Sequence, residues 1–160
     1  MTTATATEIE QGAPVDASAL SQYYTDLLSW PTTIDPSTGE VRLRLGDTVD
    51  ALIMRAGFGG EVNHQLVRSM LSAPIIVVPG KPDDWIFLTQ PRTTMRESTI
   101  ADLVSLQVGW KEVGSTIVLP AFGSAEDELR WLAQPKADLE LPPWGAVVGA
   151  VRRTASSRAW

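Results

Sequence analysis

The chain has 160 residues, 44% of them hydrophobic, with no cysteine, one histidine and a formal net charge of −6 at pH 7 (pI near 4.7). That length suits about one domain, and the composition excludes a disulfide framework, a thiolate metal site and a multi-histidine centre within one chain. The acidic balance opposes loose binding of nucleic acid, whose non-specific affinity comes from phosphate neutralisation by Lys and Arg. No apolar run reaches the roughly 20 residues that span a bilayer, and the N-terminus lacks a basic n-region and an apolar h-region, so a soluble cytoplasmic protein without membrane contact is expected.

Residues 1–15 are Thr, Ala and Glu without periodicity, broken by Gly12-Ala13-Pro14, and are expected to be a disordered lead-in to one domain over 16–153. Asp16 is placed to N-cap a helix over Ala17 to Ser29, where Leu20, Tyr23, Tyr24, Leu27 and Leu28 form a stripe and Trp30-Pro31 stops the run. Asp35-Pro36-Ser37-Thr38-Gly39 reads as a turn. Val41, Leu43 and Leu45 then alternate with Arg42 and Arg44, the period of a half-buried strand. Gly46-Asp47 supplies a turn, and Val49 to Met54 runs back as the second arm of a hairpin. From Phe58 the period changes, with Phe58, Val62, Leu66 and Met70 recurring every four residues and Val67 and Leu71 widening the stripe of a helix that ends at Ala73-Pro74.

Ile75-Ile76-Val77-Val78 is a short apolar run expected to be a strand buried on both faces. The breakers Pro79 to Asp84 join it to Trp85-Ile86-Phe87-Leu88-Thr89 as an antiparallel pair. Gln90 to Ser98 is a polar loop, and Thr99 with Asp102 fits a capping box opening a short helix through Leu103 and Leu106. Gly109 to Gly114 is a connection, Thr116 to Leu119 a strand, Phe122 to Glu128 an acidic loop, and Leu129, Trp131 and Ala133 mark a further strand. Pro142-Pro143 sets up a helix over Trp144 to Arg153, leaving 154–160 as a tail. Arg152, Arg153 and Arg158 concentrate positive charge there, read as a solvated tail or as a nucleic-acid or membrane contact. Five to seven strands and four helices in mixed order, with hairpins, predict an α+β fold: a mixed, mostly antiparallel sheet with packed helices.

Two carboxylates, Asp47 and Asp50, could hold a divalent metal only if both faced one way, which on a strand requires a spacing of two. Their spacing of three favours Asp47 as a turn residue and Asp50 as a solvent-facing strand residue. His64 lies off the apolar stripe and reads as a surface residue rather than a base, since no nucleophile motif accompanies it. Gly57-Phe58-Gly59-Gly60 reads as a flexible helix entry or a phosphate cradle, without the Lys and Ser/Thr of a P-loop. Arg92 and Arg96, leading to a helix N-terminus, are the best candidate pair for an anion or nucleic acid. Of the six tryptophans, Trp85, Trp110, Trp131 and Trp144 read as core and boundary residues, with Trp85, Trp110 and Trp131 the candidates for a ligand pocket. No cofactor and no resident metal are expected.

The succession Leu45-Gly46-Asp47-Thr48-Val49-Asp50-Ala51-Leu52, Pro74 to Pro79 with Trp85 to Leu88, Gly114 to Pro120, Leu129 to Pro135 and Leu141-Pro142-Pro143-Trp144 resembles the N-terminal domain of bifunctional DNA primase/polymerases, in a short, degenerate, stand-alone form. The resemblance covers roughly residues 20 to 153. It implies an RRM-like core that joins nucleotides on a template with acidic metal ligands and a histidine on a neighbouring strand. Asp50 stands at the first acidic position, but Leu52 follows two places on, the Trp85 strand has no histidine, and Trp110 to Thr116 offers only Glu112. These departures imply loss of polymerase activity and leave a binding or regulatory module with a protein partner. A metal-dependent nucleotide-handling enzyme and a small-ligand binder with a Trp-lined pocket are the alternatives.

Overall fold

Strands with apolar side chains on both pleat faces must be covered on both faces, and this chain supplies such strands at β3 (Asp50–Arg55), β4 (Ile75–Val78) and β5 (Asp84–Thr89). In the computed structural model, which describes residues 17–158, they form a four-stranded antiparallel sheet of order β3-β5-β4-β7, with β7 at Arg130–Ala133. The register pairs Leu52 with Phe87 and Phe87 with Ile75, and on the opposite pleat face Ile53 with Ile86 and Ile86 with Ile76. The first row faces the helices α2 (Ala56–Arg68), α3 (Glu97–Ser105) and α4 (Trp144–Arg158), packing on Val62, Leu66, Leu103 and Val147.

The second row faces a smaller antiparallel sheet of order β1-β2-β6, made of Thr32–Ile34, Val41–Arg44 and Thr116–Leu119, together with α1 (Ala17–Leu28). The four-stranded sheet is thus a middle layer between two cores. Full burial of each large side chain contributes roughly 1.5–3 kcal/mol, and Leu52, Ile75, Ile76, Phe87 and Leu88 are all fully buried. Among the described residues, four helices and two antiparallel sheets make this the α+β fold that the sequence predicts, and the two-faced burial of Ile75 to Val77 and the β4–β5 pairing are as expected. Among the described residues, no helix is long and apolar enough to cross a membrane.

Several expectations are corrected. The turn at Gly46-Asp47 exists, with the Gly46 N–H donating to Val49 O at 2.8 Å and Gly46 at φ 118°. It does not close a hairpin: β2 pairs with β1 and β6, whereas β3 pairs with β5. The chain beyond β2 stays with the smaller sheet, the Leu45 N–H donating to Ser115 O and the Gly114 N–H to Leu45 O, and it then crosses to the middle layer. The hairpin of this region is instead β1–β2, across the Asp35–Gly39 turn. The Ser37 hydroxyl and amide both donate to Asp35 Oδ1, which holds that carboxyl below its ordinary range.

Helix α2 begins at Ala56 and ends at Arg68, so Met70 lies beyond it in a left-handed conformation (φ 61°) and is 93% exposed, while Val67 is also exposed. The Leu71 N–H donates to Leu66 O and the Met70 N–H to Val67 O, a Schellman ending that turns the chain back at residue 70 and ends the four-residue period there. Helix α3 closes the same way at Gln107 and starts at Glu97, so Thr99 is a buried residue within it rather than a cap. Helix α4 runs past Arg153 to Arg158, so the expected tail is largely helix. The Asp16 cap and the lead-in lie outside the described residues.

Tyr24 fastens α1 to both sheets. Its ring stacks on Trp30 at 5.6 Å, its hydroxyl donates to Pro120 O at 3.2 Å after β6, and it accepts the Trp131 Nε1–H at 2.9 Å from β7. Burial pushes its phenol well above the ordinary value near 10. Tyr24→Phe leaves the Pro120 carbonyl and the Trp131 N–H without this partner and is expected to cost about 1–3 kcal/mol in urea unfolding. Because the folded value is the raised one, the stability held by the neutral phenol is complete below about pH 10 and is lost as pH rises further. The stability gap between wild type and Tyr24→Phe is therefore expected to shrink above about pH 10.

Candidate functional site

Asp50 opens β3, opposite Thr89 of β5 in the register, and is fully buried, which corrects the expectation of a solvent-facing residue. An ionised carboxylate can remain in such a place only if it is paired and hydrogen-bonded. Arg92, just past the end of β5, does this: its Nε donates to Oδ2 at 2.6 Å and its Nη2 to Oδ1 at 2.6 Å, the side-by-side geometry that suits a guanidinium. The Arg92 N–H adds a bond to Oδ2 at 3.2 Å, and the Ala51 N–H adds one to Oδ1 at 3.0 Å. Four donors thus fill the roughly four lone-pair positions of the carboxylate.

The guanidinium is itself fixed from two more sides. Nη2 donates to Lys111 O at 2.6 Å, which ties in the loop before β6, and the guanidinium carbon lies 5.4 Å from the ring centroid of Trp144 at the start of α4. The cluster therefore joins β3, the loop after β5, the loop before β6 and α4 at one point. Trp144 is 1% exposed, and its indole N–H has no acceptor among the described residues.

The other sequence candidates are scattered. Asp47 is exposed in its turn, 3.8 Å from Arg44, and does not share a site with Asp50. His64 is exposed on α2, as expected, and Glu112 is exposed in the loop before β6. Arg96 is the exposed N-cap residue of α3, with no side-chain cap bond; with Arg92 committed to Asp50, the two arginines share no partner. Gly57 to Gly60 lie inside α2 rather than ahead of it, and a Cβ on Gly59 would sit 3.0 Å from Trp85, so this glycine sets a close helix-to-sheet approach. Trp85 and Trp110 pack on the helix-side core, whereas Trp131 packs on the opposite core, so the three do not line one pocket. Among the described residues, no three His, Asp or Glu side chains come together as a metal site.

Among the concavities of the described residues, two bear on the candidate readings. One, of about 340 Å³, lies between the end of α1 and the 135–141 loop, with Leu27, Trp30, Pro74 and Leu139 among its walls. The other is a wider groove of about 860 Å³ between the C-terminal end of α2 and the outer face of α4, lined by Arg68, Arg152 and Arg153. Sequence reasoning missed the Asp50–Arg92 pair, although once β3 and β5 are set antiparallel, residues 50 and 92 fall at the same end of the sheet. The chain matches no family model, no curated protein and no solved structure.

Removing one member of a buried pair strands the other, so Arg92→Ala is expected to cost about 3–5 kcal/mol in urea unfolding. Arg92→Lys is expected to recover only part of this, because an ammonium cannot reproduce the two parallel bonds. A loss below about 1 kcal/mol in Arg92→Ala would mean that Asp50 is not held as the geometry indicates.

Proposed function

We propose that this chain is a non-catalytic binding or regulatory module acting through a protein partner in a soluble, cytoplasmic setting, a short relative of the primase/polymerase N-terminal domain. The observation that carries this reading is the state of Asp50. It stands at the first acidic position of the pattern the sequence resembles, yet four donors saturate its carboxylate. Leu52, two residues on and on the same pleat face, is fully buried in the helix-side core. Two-metal phosphoryl transfer needs carboxylates with lone pairs facing an open site, and the residues at these two positions provide none. A protein is favoured over nucleic acid as partner by the net charge of −6.

Calorimetric titration with Mn²⁺ and deoxynucleoside triphosphates is expected to show no heat of binding, while affinity purification of the tagged chain from its native cells recovers a defined protein. Template-directed, divalent-ion-dependent nucleotide incorporation would overturn the reading in favour of an enzyme.

A small-ligand reading has one observation in its favour, the cavity of about 340 Å³, which falls in the range of ligand pockets. Its wall holds Trp30 rather than the three tryptophans expected from the sequence. A saturable change in indole emission on titration with nucleotides, amino acids or sugars, lost in Trp30→Phe, would establish it; a flat titration removes it.

A further inference from the structure

The arginines of this chain divide into two groups. Arg42, Arg44, Arg55 and Arg92 each hold a carboxylate. Arg68, Arg96, Arg130 and Arg153 have no carboxylate within ion-pair range among the described residues, although the chain carries 19 acidic side chains, and of these four Arg68 and Arg153 are brought to one place. Both line the 860 Å³ groove between α2 and α4, together with Arg152, whose Nη2 lies 3.2 Å from Asp102 with both side chains half exposed. An acidic protein thus gathers exposed, incompletely neutralised cations along one groove.

The floor of this groove is Gly149. A glycine inside a helix costs about 1 kcal/mol relative to alanine, and here nothing but the Arg153 guanidinium lies within 4 Å of where a Cβ would stand. The absent side chain lets the Arg153 guanidinium lie across the helix at this point, with Gln65 and Ser156 adding polar groups to the walls.

The character of the occupant follows from the ends of the helices. Arg68 is the last residue of α2 and Ser69 its C-cap, so the groove meets the carbonyl end of that helix, whose negative partial charge opposes any anion and is offset by Arg68 itself. No row of free backbone amides is presented, as it would be at a helix N-terminus built for a phosphate dianion. Recognition falls to the guanidiniums, each of which takes one monoanionic carboxylate through paired bonds. A polynucleotide gains little, since three cations release only about three counterions and the rest of the surface is acidic.

We propose that the α2/α4 groove docks a carboxylate-rich segment of the partner protein, Arg68 and Arg153 taking its side chains and Arg152 exchanging Asp102 for it. This rests on the reading of the chain as a protein-binding module and names the surface and partner chemistry it uses.

The test is fluorescence anisotropy of fluorescein-labelled octaglutamate with the full chain at low and physiological salt. Saturable binding is expected at low salt, weakened at higher salt as exposed ion pairs are screened. Arg68→Ala combined with Arg153→Ala is expected to lower affinity about tenfold or more. Asp102→Asn, which releases Arg152, tightens binding, and Gly149→Gln, which fills the floor and displaces the Arg153 guanidinium without removing any charge, weakens it. The two arginine changes, at exposed positions, are expected to leave the circular dichroism spectrum and melting temperature close to wild type.

Failure of octaglutamate to bind the wild type, or equal binding by the double variant, overturns the proposal. Tighter binding of labelled octathymidylate than of octaglutamate overturns it in favour of nucleic acid. Recovery of the same native partner by wild type and double variant overturns the groove alone and leaves the protein-binding reading standing.

Discussion

The constraint on which the rest of this structure depends is that β3, β5 and β4 are apolar on both pleat faces. A sheet of that kind cannot lie on a single core with its back to water, because each alternate row of side chains needs its own cover. The helices α2, α3 and α4 supply one cover, and the small sheet with α1 supplies the other. The chain must therefore pass between layers, and it does so at Gly46, which takes a positive φ in close quarters with Val113. Tyr24 and Trp131 fasten the second cover to the four-stranded sheet through one shared hydrogen bond. Gly59, where a side chain would strike Trp85, lets α2 lie close on the other face.

The same layering explains why an ion pair sits at the start of β3. Asp50 lies at the end of β3, on the pleat face that leads to Leu52 and Met54 in the helix-side core. A carboxylate pointing that way is desolvated as α4 closes over the sheet. Desolvation without a partner would cost several kcal/mol, and the guanidinium of Arg92 offsets it with charge and geometry together. Buried pairs of this kind contribute little net stability compared with an apolar filling, but they penalise any arrangement in which one member is left alone. Because Arg92 also binds the loop before β6 and lies over Trp144, the pair sets the mutual position of four segments. Its physical role is to specify the arrangement, and a group spent on that role is not available to polarise a substrate.

What could be read from the sequence, and what could not, separates along the range of the interactions. The four-residue run at Ile75, the breaker-rich link from Pro79 to Asp84 and the helical period of α1 carry their outcome locally, although Leu27 of the expected α1 stripe is exposed and the helix stops at Leu28, before Ser29. The β2–β3 region carries only half of its outcome locally. Glycine at residue 46 specifies a turn, but whether the flanking strands pair with each other or with β6 and β5 depends on which faces are buried. Three-residue β1 has one half-buried and two exposed positions, too short a pattern to stand out. Met70 follows the helical period in sequence and leaves it in space because the left-handed residue ends the helix first. The site is the least legible part. Asp50 and Arg92 are 42 positions apart, and neither has a neighbour whose type announces the pair.

Charge placement links the two ends of this reading. An acidic chain of this size could neutralise every arginine internally, and at Asp50 it does so with both carboxylate oxygens. On α2 and α4 the opposite holds: carboxylates are scarce, a glycine forms the floor, and Asp102 engages Arg152 only at the half-exposed rim. Like charges held side by side repel, and their mutual cost falls only when counter-ions or an anionic ligand arrive. A cluster of that kind contributes little to the stability of the free chain, and an anionic ligand would make it more favourable. The buried pair holds the shape, and the groove between α2 and α4 keeps Arg68, Arg152 and Arg153 at the surface.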